Sequence, residues 1–421
     1  MRMALSPGRR LLLLGASTLV VLAYVGFALT DYLAARFSEK TDLTNLQRAV
    51  RLQPWNAEYR NRLGRYFFFQ ENSTDDSVRS YLSAVSLNPH QARYWIDLAN
   101  AYQVQGSAQP EEDALEHAVR VGPTSTTIAW DAASLYSVLG DTEEALREFR
   151  TVLEHDPYLP PAALQLCWRI KPDIDGLLRD VVPPIAAVYT SFLDFLISRK
   201  ETESAAKVWT QLAALHQPVE QRHVFDYMRY LVSRQEVDQA RLVWEQAANL
   251  SGLAAYQPSP ENLVVNGNFR LSVLNGGFDW LYYQSSDVSL ALDPKQSHSS
   301  GYRSLLINFD ARSLEDAGIH QLIPVQPDTE YDFSAYFKAE DIQGAGGPRF
   351  AIQDLYSGQT YFSSDELKDS TSWKQVSGIF TTGPGTKLLI FRVQRVPARS
   401  PIRGKLWIDD IRLVRTNYEG S

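Results

Sequence analysis

The chain has 421 residues, enough for two or three domains, and its 44% hydrophobic and 21% charged content is that of a folded protein, not a disordered one. A formal charge of −8 argues against nucleic-acid binding, which needs clustered Lys and Arg to neutralise phosphates. Cys167 is the sole cysteine, so neither an internal disulfide nor a thiolate metal cluster can form.

The first element is apolar. Residues 11–30, "LLLLGASTLVVLAYVGFALT", carry no charge and match the length that crosses a hydrocarbon core of roughly 30 Å. Arg2, Arg9 and Arg10 precede the run, so the positive-inside rule keeps residues 1–10 in the cytoplasm and sends the remainder across the membrane. A leader cleaved after Ala28 is the competing reading, but such leaders have shorter apolar runs, about 7–15 residues. The expectation is a single-pass anchor with the bulk of the chain periplasmic or extracellular.

A repeat follows. Pro54, Pro89, Pro123 and Pro157 recur every 34 or 35 positions, and Pro184 and Pro218 are again 34 apart. Five residues before a proline stands Ala49, Ala84, Ala118, Val152 or Ala213, small side chains that let helices approach closely. Trp95, Leu98, Ala99, Tyr102, Ala118 and Pro123, then Tyr136, Ala145, Phe149 and Pro157, and later Ala240, Trp244 and Ala247 complete a recurring pattern. On these positions residues 43–252 resemble the tetratricopeptide repeat family, which implies stacked helix pairs whose shared core needs the whole array. The spacing from Pro157 to Pro184 falls to 27, so one unit should be shortened and the superhelix should bend there. The family's groove positions fall on Asn61, Arg65, Asn100, Gln103, Ser134 and Ser137, a polar lining for an extended peptide of a protein partner.

After a linker at 253–261 the period changes from 3.6 to 2. In "YDFSAYFKAE" Tyr331, Phe333, Ala335 and Phe337 alternate with polar positions, and in "KLLIFRVQR" Leu389, Phe391 and Val393 do the same. Eight to ten such strands fit between 262 and 415, the size of a two-sheet jelly roll. The motifs "NLVVNGNF", "GFDW", "DTEYDFSAYFKAE", "TSWKQVSGIFTT" and "LWIDDIRLV", in that order, resemble the jelly-roll carbohydrate-binding modules of bacterial cellulases and xylanases.

Sugar recognition needs an aromatic face for a pyranose ring and polar side chains for its hydroxyls. Alternation sends Tyr336, Gln353, Arg392 and Gln394 away from the core, which makes them the candidate groove wall, with Trp280, Tyr283 and Tyr356 as stacking platforms. Asp409 and Asp410 are neighbours in a strand and should point to opposite faces, so they cannot flank one bond. The resemblance also implies that the first motif can help hold a structural calcium. Arg270 stands in "NGNFR" where an acidic residue is common, which argues against the ion, and no cofactor is expected.

No HExxH, GxSxG, phosphate-loop or GxGxxG sequence occurs, and the seven histidines are scattered. The expected fold is multidomain, α then β: a transmembrane helix, an α-solenoid of helix pairs and a β-sandwich. The expected function is a non-enzymatic membrane-anchored scaffold that recruits protein through its repeats and contacts a polysaccharide or cell-wall glycan, as in polysaccharide export or assembly. The alternatives are a purely protein-binding assembly factor and, third, a glycan-processing enzyme.

Overall fold

The structure, a computed structural model, describes residues 7–283, 288–298, 303–314, 316–368, 370 and 372–416. Most of the expected cytoplasmic stretch, including Arg2, lies outside these residues. Two compact units meet between Phe195 and Leu196.

The first unit is helical: α1 (Pro7–Ser38), α2 (Leu43–Leu52), α3 (Ala57–Phe69), α4 (Thr74–Leu87), α5 (Ala92–Gln105) and α6 (Ala108–Val121). It continues with α7 (Thr126–Leu139), α8 (Thr142–His155), α9 (Pro160–Ile170) and α10 (Ile174–Asp180), and ends within α11 (Ala186–Arg199). Side chains of Asp42, Asn56, Ser125, Asp141 and Asp173 accept from amides in the first turns of α2, α3, α7, α8 and α10, satisfying donors that a helix leaves open.

The prolines of the repeat act at the opposite ends. Gln53, Asn88, Gly122 and Asp156 cap α2, α4, α6 and α8, and each is followed by a proline that forbids a further helical turn. Each cap N–H bonds to the carbonyl of Ala49, Ala84, Ala118 or Val152, four residues back. These four side chains are fully buried, so the small residues serve the packing expected of them. The pair α9 and α10 is short, as the 27-residue spacing requires.

Helix α1 holds one apolar stretch long enough to cross a membrane, Leu11–Ser38. Its last turns do more than exit: Ala34 packs with Ala49, Val50 and Tyr59, and Asp31 accepts from Gln53 Nε2 at 2.7 Å. Ala28 lies inside this continuous helix.

The second unit begins with α12 (Thr202–Ala214), α13 (Gln221–Ser233) and α14 (Val237–Leu250) and continues into ten strands. These are β1 (Leu281–Tyr282), β2 (Val288–Asp293), β3 (Ser304–Leu314), β4 (Asp316–Pro324) and β5 (Glu330–Gly344). Then come β6 (Pro348–Asp354), β7 (Thr360–Ser363), β8 (Lys374–Thr381), β9 (Leu388–Arg395) and β10 (Ser400–Arg415). They form two five-stranded antiparallel sheets, ordered β1-β4-β9-β6-β7 and β2-β3-β10-β5-β8.

The alternation works as expected. Tyr331, Phe333, Ala335 and Phe337 of β5 face Leu389, Phe391 and Val393 of β9 in one core, and each large apolar side chain so buried contributes about 1.5–3 kcal/mol.

The stretch 253–261 is tied down on both sides. Trp244 Nε1 donates to the Tyr256 carbonyl at 3.0 Å, and the Tyr256 hydroxyl donates to Ser272 O at 2.8 Å. Beyond it Gly276 and Gly277 press against the rings of Phe225 and Trp244, so closely that a Cβ at either position would overlap the ring. Phe278 meets Trp244 edge-on at 6.0 Å. The helical pair α13 and α14 is therefore packed onto the sandwich by an aromatic-on-glycine contact.

This contact predicts a contrast between two glycines of left-handed conformation. Gly277→Ala, with φ +64° and no room, should destabilise the second unit by at least about 3 kcal/mol. Gly358→Ala, with φ +71° and open space, should cost only about 1–2 kcal/mol. Urea unfolding of the two variants measures the difference; equal losses would contradict the packing described.

Candidate functional site

Strands β9 and β6 bring three of the expected groove residues together. Arg392 and Gln394 alternate with Phe391 and Val393, and Gln353 alternates with Ile352, so all three stand on the outer face of the first sheet. Arg392 lies opposite Ala351 on one side and His320 on the other. The small Ala351, fully buried beneath this face, leaves room for the guanidinium to reach across β6.

There Arg392 Nη2 donates to Gln353 Oε1, and Gln353 Nε2 donates to Thr360 Oγ1 at 2.9 Å. Gln394, with its amide oxygen turned toward Arg392, accepts from Nε at 3.0 Å and Nη2 at 2.8 Å. The result is a half-buried floor of one guanidinium and two amides, each oriented by the others. Among the described residues, Arg392 Nη1 and the Gln394 amide nitrogen keep donors for a ligand.

Tyr283 flanks this floor. It follows β1, whose Leu281 lies opposite His320, and alternation puts the tyrosine on the same outer face at the sheet's edge. Its amide donates to Gly318 O at 3.1 Å, its ring rests on Gly318, where a side chain would stand 3.1 Å away, and 55% of the residue is exposed. Such a ring can stack on a sugar.

The opposite end of the face is roofed. Leu322 and Leu388 point outward with Ile390 and Arg392, yet both are buried and neither belongs to the sandwich core. Beside them Lys387 Nζ pairs with Asp238 of α14 at 2.7 Å, and the Tyr356 hydroxyl donates to Val232 O of α13 at 2.9 Å. The helical pair covers this end, and Tyr356 is a strut between helix and turn as well as a half-exposed ring.

Two expected members are elsewhere. Trp280 is fully buried, tilted against Phe269 and edge-on to Phe391, with Nε1 donating to Asn266 O at 3.1 Å, so it offers no face to a ligand. Tyr336 does point outward, but β5 belongs to the second sheet, and its ring is covered by His298 at 3.5 Å. Alternation fixes the direction of a side chain and says nothing about which sheet carries it.

The Asp409 and Asp410 expectation also needs correcting. Ladder register shifts between Asp409 and Arg412, and Asp410 has φ 46°, so strict alternation fails. Both carboxylates then converge on His298: Asp409 Oδ2 accepts from its backbone N–H at 2.8 Å, and Asp410 Oδ2 meets Nδ1 at 2.7 Å. Burial pushes the Asp409 carboxyl up to about 6, against the pull of those amide bonds. Asp409 is fully buried, and the pair clasps the loop that carries His298.

Near the first motif the calcium question turns on what the backbone carbonyls face. The carbonyls of Phe269 and Arg270 receive the Arg303 guanidinium at 2.9 and 3.3 Å, a cation already in place, and residue 270 supplies no carboxylate. Among the described residues no group of three His, Cys, Asp or Glu could hold a metal.

A cleft of about 490 Å³ opens between the edge strands β1 and β2, lined by Val273, Leu290, Tyr282 and Tyr283. Among the described residues its lining is mainly aliphatic, with polar atoms from Ser289 and the two tyrosines, whereas the β9 and β6 face brings a guanidinium and two amides together.

On the repeats the expected groove is partly spent. Asn61 is buried and donates to Asp97 at 3.0 Å; Arg93 then links Asp97 at 3.1 Å to Asp131 at 2.6 Å, a ladder through α3, α5 and α7. Asn100, Ser134 and Ser137 bond back to their own helices at 2.9, 2.8 and 2.6 Å. Arg65 is exposed and Gln103 half-buried. Arg65 and Phe69 help line a cleft of about 390 Å³ between α3 and the end of α1.

The sequence reading missed an apolar row. Phe69, Val104 and Val138 are 62%, 61% and 69% exposed, and each is the thirteenth residue of its helix, α3, α5 or α7. Their equal phase in the repeat was the available signal.

Residues 261–399 match the family model described as "Carbohydrate binding domain" (CBM_4_9). Among solved structures the chain is similar to one described as "CBM4 structure and function", at 14% identity and TM-score 0.28, covering 36% of this chain and 99% of that one. It is similar to MamA at 16% identity and TM-score 0.25, covering 41% and 85%. The first TPR of Spaghetti (RPAP3), bound to the HSP90 peptide SRMEEVD, gives 20% identity and TM-score 0.26, covering 28% and 94%. No curated protein matches the chain. The chain is an array of paired helices followed by a two-sheet sandwich that carries the match to the carbohydrate-binding model.

Proposed function

We propose that this protein is a non-catalytic scaffold anchored in a membrane by α1, with the repeats and sandwich on the extracytoplasmic side. The sandwich binds a polysaccharide or cell-wall glycan, and the repeats recruit a protein, an arrangement suited to polysaccharide export or assembly. The observation that carries the glycan half is the floor of Gln353, Arg392 and Gln394 beside the exposed Tyr283 ring, within the segment that matches the carbohydrate-binding model. Stacking plus orienting amides is the combination a pyranose needs. The anchor is supported by the continuity of the apolar helix into the packed Ala34 turn.

The protein half rests on the apolar row of Phe69, Val104 and Val138 beside Arg65. Apolar side chains in phase on the alternate helices α3, α5 and α7 can hold an extended peptide through side chains of matching spacing.

The glycan half is tested by retention of the solubilised protein on a panel of polysaccharides. Wild type should be retained on at least one polymer, and Gln353→Ala with Tyr283→Ala should lose about tenfold or more in affinity at unchanged melting temperature. A folded wild type retained on none would end this reading and leave a protein-binding assembly factor.

For the protein half, Phe69→Asp, Val104→Asp and Val138→Asp together should abolish co-purification of a partner while leaving the helical content unchanged. A partner held equally by this variant would place recruitment elsewhere.

A further inference from the structure

We propose that the glycan taken by the β9 and β6 face is acidic, and that Arg392 receives a carboxylate of it, such as that of a uronic acid unit. The inference rests on the glycan reading above and adds the chemical class of the ligand.

Arg392 is partly withdrawn from water, and its named partners are two neutral amides, Gln353 and Gln394. No carboxylate among the described side chains lies within ion-pair distance of it. Two other cations of this sheet are already matched. Arg349 pairs with Glu366 at 3.4 Å, and Lys387 pairs with Asp238 at 2.7 Å. The Asp354 carboxylate, at the end of β6, is committed to the amides of Tyr356 and Ser357 at 2.9 and 2.6 Å. Those bonds help hold it below the usual carboxylate range despite the burial that opposes them. Across β4, His320 adds an imidazole to the face and no negative charge.

Among the described side chains, the site therefore presents a guanidinium that is oriented but not neutralised. Its two amide partners fix the plane of the fork on the Nε and Nη2 side and leave Nη1 toward the open face. A carboxylate gives such a fork charge-assisted bonds roughly twice as strong as the neutral ones a hydroxyl offers. The chain as a whole carries −8, so a polyanion gains nothing from general attraction to it. Retention of an acidic polymer must then come from a local cation, and among the described side chains Arg392 is the cation of this face held by neutral partners.

The test compares polymers that differ only in charge. Full-length protein in detergent is titrated with polygalacturonate, alginate and hyaluronan and with the carboxyl-reduced form of each. At least one acidic polymer should bind about tenfold or more tightly than its reduced form. Arg392→Gln should erase that preference, and Arg392→Lys should keep part of it, with both variants melting as wild type does.

Equal binding of acidic and reduced polymers, or a preference that survives in Arg392→Gln, would overturn the acidic assignment and leave the glycan reading standing. So would binding to neutral cellulose or xylan with none to the acidic set. Failure to bind any acidic, reduced or neutral polymer would remove both.

Discussion

The second unit depends on one contact, in which the aromatic rings of Phe225 and Trp244 lie directly on Gly276 and Gly277. Only glycine can let ring and backbone approach this closely, and at Gly277 the backbone also needs a positive φ that other residues resist. Around this point the hydrogen bonds of Tyr256, the Phe278 edge contact, the Lys387 to Asp238 pair and the Tyr356 to Val232 bond are mutually consistent. The pair α13 and α14 thereby becomes part of the sandwich's outer surface. One end of the first sheet is covered, with Leu322 and Leu388 beneath, while the end holding Arg392 and its amides stays open. The shape of the candidate glycan face is thus a consequence of how the repeat array ends.

Close approach through small residues also organises the first unit. Ala49, Ala84 and Ala118 are fully buried and pass their carbonyls to the helix caps, and the prolines behind those caps fix where each chain reversal starts. The polar ladder of Asn61, Asp97, Arg93 and Asp131 ties α3, α5 and α7 together laterally. Burial raises the Asp97 carboxyl, and Asn61 and Arg93 pull it back, so the ladder compensates a charge that would be costly alone. What such a ladder occupies is no longer available to a partner, which shifts recruitment toward the exposed row at Phe69, Val104 and Val138.

Much of this is legible in the sequence. The 34-residue period gave helix pairs and their caps, because a proline and a small residue at fixed spacing leave few alternatives. Period-2 alternation found the sandwich core and the outward direction of Gln353, Arg392 and Gln394, because a pleated strand allows only two directions. Its failures share a physical cause: they need information that local pattern does not carry. Tyr336 was assigned to the wrong wall because pairing of β5 with β8 and β10 is a long-range fact. Asp409 and Asp410 converge because a bulge breaks the alternation, and Trp280 is core because the chain before β1 turns inward. Asn61 went inward because a carboxylate 36 residues later meets it.

The central claim is that the last helical pair and the sandwich are one cooperative body. Amide hydrogen exchange on the intact protein tests it directly, read at α13, α14, β4, β6 and β9 in wild type and in Trp244→Ala. The account predicts that these elements open together in wild type and that the substitution lowers the protection of all of them by a common amount. If Trp244→Ala exposes only the helices while the sandwich strands keep their full protection, the two are separate bodies and the account is contradicted.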